Sequence, residues 1–147
     1  MKYIGEKKVK IEEIFSPFYG CKLKDTHCVE YVKELMDNPN IEVTKSKMYK
    51  FLLGHLEREG EVWGLKDKPA LRQSVENMKG LIASIREHGF LKYEEEDYRI
   101  QGDQPRGSVL GYIKDGVFNI WDGHHRTSIL YLLGEKYMSV RVYEKKP

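Results

Sequence analysis

The sequence predicts one α+β domain built as a small mixed sheet with packed helices, and three observations carry that expectation. An apolar stripe after Pro69 has the period of a long helix. Two short apolar runs flank an Asp115-Gly116 turn, and a last run, Tyr137 to Tyr143, alternates apolar with other residues. Strands and helices follow one another irregularly, without the alternation of a doubly wound sheet. The 147 residues suit a single domain spanning 1–147, with enough chain to bury a hydrophobic core.

The elements follow in order. Val9 to Ile14 reads as a first strand, on Val9, Ile11 and the pair Ile14-Phe15, stopped by Ser16-Pro17. Asp25 or Thr26 then caps a short helix with Val29, Val32 and Met36 on one face, ended by Asn38-Pro39-Asn40. A second helix is expected from about Thr44 to Glu59. Its buried stripe is Met48, Phe51, Leu52, His55 and Leu56, and Gly60 closes it.

The clearest helix follows Pro69, where Leu71, Val75, Met78, Ile82 and Ile85 recur at steps of four, three, four and three. His88 suits the negative end of its dipole, and Gly89 a left-handed C-cap. Gly80 inside this helix costs about 1 kcal/mol relative to alanine, which points to a close packing contact there. Lys92 to Gly107 reads as loop with a short extended piece at Tyr98 to Ile100. Val109 to Ile113 and Val117 to Trp121 form a hairpin around Asp115-Gly116. A short helix with Ile129, Leu132 and Leu133 inward runs to Gly134, and Tyr137 to Tyr143 makes the last strand.

Bulk properties exclude some partners. Charged residues make up 33% of the chain, yet the net charge is only +2, short of the dense basic face that non-specific nucleic-acid binding needs. No apolar run reaches the length of a membrane span, and the first residues lack the apolar core of a secretory signal, so a cytoplasmic protein without a membrane partner is expected. Cys21 and Cys28 on one helix stand about two turns, roughly 10 Å, apart, too far for a disulfide. With His27 they make a weak metal motif, since no second pair of ligands accompanies them.

Chemistry concentrates in Asp122-Gly123-His124-His125-Arg126-Thr127-Ser128, where a buried strand gives way to a helix. The first N–H groups of a helix lack internal partners, and the dipole adds positive potential, so an anion is favoured there. Gly123 lets backbone approach the anion. His124, His125 and Arg126 add donors, and Thr127 and Ser128 add hydroxyls. The planar fork of Arg126 can bond two phosphate oxygens, and its guanidinium is expected to face solvent in the free protein. Asp122 repels bare phosphate but can hold magnesium, orient a histidine or accept a proton, which makes Asp122 and His125 the candidate catalytic residues. The plainer alternative has Asp122 capping the helix, solvated histidines, and Arg126 paired with Glu94-Glu95-Glu96-Asp97. A metal held by the two histidines is a third reading, though adjacent residues at such a turn need not converge on one ion.

The run Val117 to Gly134 with its following strand resembles the ParB/sulfiredoxin-like superfamily, in which a strand enters a Gly-x-His-Arg or Gly-Glu-Arg-Arg box and a short helix ends in glycine. Ser84 to Phe90 is similar to the family's Ser-Ile-x-x-x-Gly helix end, and Val9 to Ile14 stands where its first strand falls. The likeness covers Leu81 to Val142 well and the N-terminus loosely, with Cys21 to Pro69 (about 21–70) looking like an added helical region. Sulfiredoxins place a catalytic cysteine where this chain has His124, so sulfinic-acid reduction by that route is excluded. Partition ParB proteins carry Gly-Glu-Arg-Arg and a DNA-binding helix-turn-helix, and here His124-His125 replaces Glu-Arg and the sequence stops at Pro147. Asp-Gly-His-His-Arg is more similar to the branch that includes free serine kinases. That resemblance implies a nucleotide such as ATP or ADP, magnesium at Asp122, and phosphate contacts from His125-Arg126. Those kinases also use a glutamate near the first strand, for which Glu12, Glu13 and Glu30 are all candidates.

Three functions follow as expectations. The first is a small magnesium-dependent phosphotransferase or nucleotide hydrolase, and the second a non-catalytic sensor of a nucleotide or phosphorylated metabolite. The third is a DNA-binding or nuclease protein, which needs Lys45, Lys47, Lys50 and Arg58 to continue a basic stripe from Arg126.

Overall fold

The computed structural model describes residues 2–89 and 109–145. Strand β1 (Tyr3–Lys10) is rich in lysine and exposed along most of its length, which suits a sheet edge that must resist further pairing. It pairs antiparallel with β6 (Tyr137–Tyr143), where Met138, Val140 and Val142 are buried as the alternation requires. The expected first strand at Val9 to Ile14 is corrected. Only its beginning is strand, because Ile11–Glu13 forms a 3₁₀ turn. Three residues per turn bring Ile11 and Ile14 to one side, and both are buried.

Short strands β2 (Phe15–Ser16) and β3 (Cys21–Lys22) complete a six-stranded mixed sheet of order β1-β6-β4-β5-β2-β3. The central hairpin of β4 (Leu110–Lys114) and β5 (Val117–Asp122) turns through Asp115 and Gly116, with φ of 52° and 79°. Positive φ at both residues matches the right-handed twist of the strands, so the Asp-Gly pair sets the register as expected.

Helix α1 (His27–Asp37) buries Cys28, Val29, Tyr31, Val32, Leu35 and Met36. Its N-cap Thr26 donates to Leu23 O at 2.7 Å instead of capping. Helix α2 (Lys47–Glu59) starts later than Thr44, because Val43–Lys45 is a 3₁₀ turn and Ser46 Oγ accepts the Tyr49 N–H. Its buried stripe is also rotated: Met48, Tyr49 and Leu52 are inside, while Phe51, His55 and Leu56 are half-buried.

Helix α3 (Lys68–His88) buries every residue of the expected stripe, with Leu81 added, and is capped by Asp67 with Pro69 in its first turn. The close approach expected at Gly80 is absent, since an added Cβ there meets nothing within 4 Å. The readings at Lys92 to Gly107 lie outside the described residues. Helix α4 (His124–Leu132) is followed by Gly134 at φ 86°. Ile129 and Leu130 form its inner face; Leu132 is half-buried and Leu133 exposed, so the expected stripe is shifted toward the helix start.

One core cluster joins α1, α2 and α3 with Ile129 of α4 and the central strands, so residues within 21–70 share the same interior as the rest. Among the described residues no helix is long and apolar enough to cross a membrane.

Candidate functional site

The strand–helix junction is shaped by what Gly123 lacks. Its φ is +102°, and a Cβ there falls 2.7 Å from Val109 Cγ2. Glycine is therefore needed for the turn and for the close approach of Val109. Helices α2 and α3 begin under the side-chain caps of Ser46 and Asp67, whereas the N-cap of α4 is Gly123, which has no side chain to cap with. The N-cap position considered for Asp122 is thus held by Gly123. The helix start is left with its first-turn N–H donors outside the internal ladder.

The two histidines diverge. His124 Nε2 lies 2.8 Å from Ser16 Oγ on β2, and its ring meets Tyr19 edge-on. His125 Nε2 lies 2.6 Å from the Tyr31 hydroxyl on α1, and its ring is flanked by Tyr31 and Trp63. Tyr31 also donates to Cys28 Sγ at 3.4 Å, and that thiol faces the Tyr19 hydroxyl at 3.6 Å. A chain Tyr19–Cys28–Tyr31–His125 therefore runs from α1 to the start of α4.

Burial lowers the pKa of His124, partly opposed by Asp122. For His125, burial first and then His124 and Arg126 push the pKa from 6.5 down to about 3. Burial thus favours the neutral form of His125, and its contact with Tyr31 anchors the start of α4. Burial, with Cys28 alongside, raises both the Tyr19 and Tyr31 hydroxyls above the ordinary phenol range.

Thr127 and Ser128 are fully buried, and their hydroxyls donate to the carbonyls of Gly123 (2.9 Å) and His124 (2.7 Å). The expectation that they offer hydroxyls to an anion is corrected: both face into the fold. Arg126 is 8% exposed, so the solvent-facing guanidinium is also corrected. It lies in the wall of a cavity of about 420 Å³ together with Asp122, Gly123, His124 and His125. The acidic tract considered as a partner for Arg126 lies outside the described residues.

Trp63, Phe18 and Trp121 line the same cavity. Sequence reasoning missed Ser16, Tyr19, Cys28, Tyr31 and Trp63 as members of this site. A Trp63-Gly64 pair between Val62 and Leu65 was a usable turn signal; nothing local marked the others. Asp122 is the one carboxylate among the described residues of the wall. Glu12, Glu13 and Glu30 are all exposed and stand outside it. So do Lys45, Lys47, Lys50 and Arg58.

Among the described residues no cluster of three or more His, Cys, Asp or Glu side chains is arranged to hold a metal ion. One carboxylate suits magnesium only where phosphate oxygens supply further ligands, as they do when the ion arrives with a nucleotide. Comparison with protein-family models, curated proteins and solved structures finds no match to this chain.

Proposed function

We propose that this chain is a nucleotide- or phosphometabolite-binding domain and that the junction of β5 and α4 takes the phosphates. One observation carries the reading: the start of α4 behind its Gly123 N-cap, Arg126 and Asp122 all border one cavity of about 420 Å³. The N–H groups of a helix's first turn, which lie outside its internal ladder, and an arginine fork are complementary to phosphate oxygens. The volume falls within the roughly 300–1,000 Å³ of small-molecule sites.

Asp122 extends the proposal to chemistry. A carboxylate beside phosphate is repelled unless magnesium stands between them or an acceptor hydroxyl gives it a proton. The domain is then a magnesium-dependent phosphotransferase or nucleotide hydrolase acting on ATP, ADP or a related nucleotide. The order β5, Gly123, α4, Gly134 and β6 is the order that the ParB/sulfiredoxin-like resemblance implies, and the motif Asp122-Gly123-His124-His125-Arg126 is what favours its free serine kinase branch. In this reading Arg126 holds the phosphates, Asp122 serves magnesium or the acceptor, and His125 fixes the helix start.

A sensor without turnover is the second reading, favoured by the single carboxylate in the described wall. Product formation from radiolabelled nucleotide with a panel of hydroxyl acceptors separates the two, run beside a binding titration with and without magnesium. For the enzyme, Asp122→Asn abolishes turnover and leaves nucleotide binding measurable. For the sensor, no acceptor yields product, and the neutral amide binds the anion at least as tightly.

A further inference from the structure

The chain has two tryptophans, and both line the cavity at α4. Trp63 occupies a tight turn closed by the Val62–Leu65 backbone pair, with N–H to O distances of 3.0 and 2.8 Å. Its φ is +52°, followed by Gly64 at +79°. Such a turn favours Asn, Asp or Gly at this position, and a bulky residue at positive φ carries a steric cost. Burial does little to offset that cost, because Trp63 is 45% exposed. Its ring stands edge-on to His125, with centroids 5.2 Å apart, and lies against Phe51 at 6.3 Å. Phe18, 76% exposed, and Trp121, 37% exposed, border the same cavity.

Large exposed rings gathered at one cavity mark a surface made for apolar contact. Backbone strain that presents one of them belongs with ligand clamps more than with packing, since packing alone would be met by a turn-forming residue. We propose that Trp63 is the stacking platform for a planar heteroaromatic ring, so that the ligand of this cavity is a nucleotide and not an aliphatic phosphometabolite. The inference rests on the reading of the α4 start as the phosphate site. Since His125 is the second residue of α4 and touches the Trp63 ring, the platform adjoins the helix start. A mononucleotide joins a base and its phosphates through one ribose and so presents both chemistries at short separation. Stacking on an indole tolerates any base, because every base has a π-face.

The test compares nucleoside 5′-diphosphates with ribose 5-phosphate, pyrophosphate and free nucleosides on wild type, Trp63→Phe and Trp63→Asn. Asparagine removes the ring while tolerating the left-handed backbone, and thermal melts establish that each variant is folded. Binding is read by calorimetry and, in a Trp121→Phe background, by quenching of Trp63 fluorescence. The expected result is that the diphosphates bind wild type about 10- to 100-fold more tightly than ribose 5-phosphate, the scale of one base stacked on an aromatic side chain. Trp63→Asn removes that advantage without changing pyrophosphate affinity, and Trp63→Phe keeps most of it. Equal affinity for nucleotide and ribose 5-phosphate, or an equal loss for every ligand in Trp63→Asn, overturns the platform while leaving the phosphate reading intact. Free nucleosides that quench Trp63 as strongly as the diphosphates do, with no binding of pyrophosphate, sustain the platform and remove the phosphate site. No binding by any probe overturns both.

Discussion

The Tyr31 hydroxyl lies 2.6 Å from Nε2 of His125, which ties the middle of α1 to the first turn of α4. The same hydroxyl donates to Cys28 Sγ, and the two contacts are compatible when the imidazole N–H donates to the tyrosine oxygen. Position 31 belongs to the region that looked like an addition in the sequence, yet it holds the residue next to Arg126. The orientation of the candidate site thus depends on α1.

Tyr31→Phe leaves a buried imidazole nitrogen without its partner. Stability is expected to fall by about 1–3 kcal/mol, the cost of an unsatisfied buried polar group. Urea unfolding measures it, and a double-mutant cycle with His125→Gln isolates the pair. A loss within about 0.5 kcal/mol, as for ordinary surface substitutions, means the bond contributes little.

Acid should weaken the fold through His125. Its pKa falls from 6.5 to about 3 on folding, so the stabilisation from keeping it neutral is complete above 6.5. Below that value the unfolded chain takes up a proton that the folded chain refuses. Stability therefore decreases as pH drops from 6.5 toward 3. Urea midpoints across this window, compared between wild type and His125→Gln, should show a shallower dependence in the variant. Parallel curves would place the histidine's proton equilibrium close to that of the unfolded chain.

Arg126→Ala is expected to weaken phosphate or nucleotide binding by about 1.5–3 kcal/mol, the scale of a hydrogen bond to a charged group. Because Arg126 is buried, its stem also packs, and a stability loss of about 1–3 kcal/mol should accompany the affinity loss. Calorimetric titration together with thermal melts separates the two effects. Unchanged affinity in a folded variant removes Arg126 from the ligand contacts.

Two glycines should respond with opposite sign. Gly123→Ala forces a left-handed alanine against Val109 and should cost about 2–4 kcal/mol. Gly80→Ala adds a methyl where nothing lies within 4 Å, in mid-helix, and should stabilise by about 1 kcal/mol. Denaturant midpoints check both, and a destabilised Gly80→Ala would point to a contact at that face.

The sequence by itself determined what neighbours along the chain decide. The stripe from Leu71 to Ile85 repeats with the helical period, Asp115-Gly116 demands a tight turn, and Met138, Val140 and Val142 alternate as a half-buried strand must. The junction at Gly123 was legible for the same reason, since a strand pattern, a glycine and a helical pattern meet there. Tertiary structure alone decided what surrounds each side chain at that junction. His124 meets Ser16 across 108 positions and His125 meets Tyr31 across 94, distances over which no spacing rule operates. Burial of Arg126, the inward turn of Thr127 and Ser128, and the acid shift of His125 all come from elements folded over the helix start. Desolvation is a property of the assembled neighbourhood, and only the closed fold supplies it.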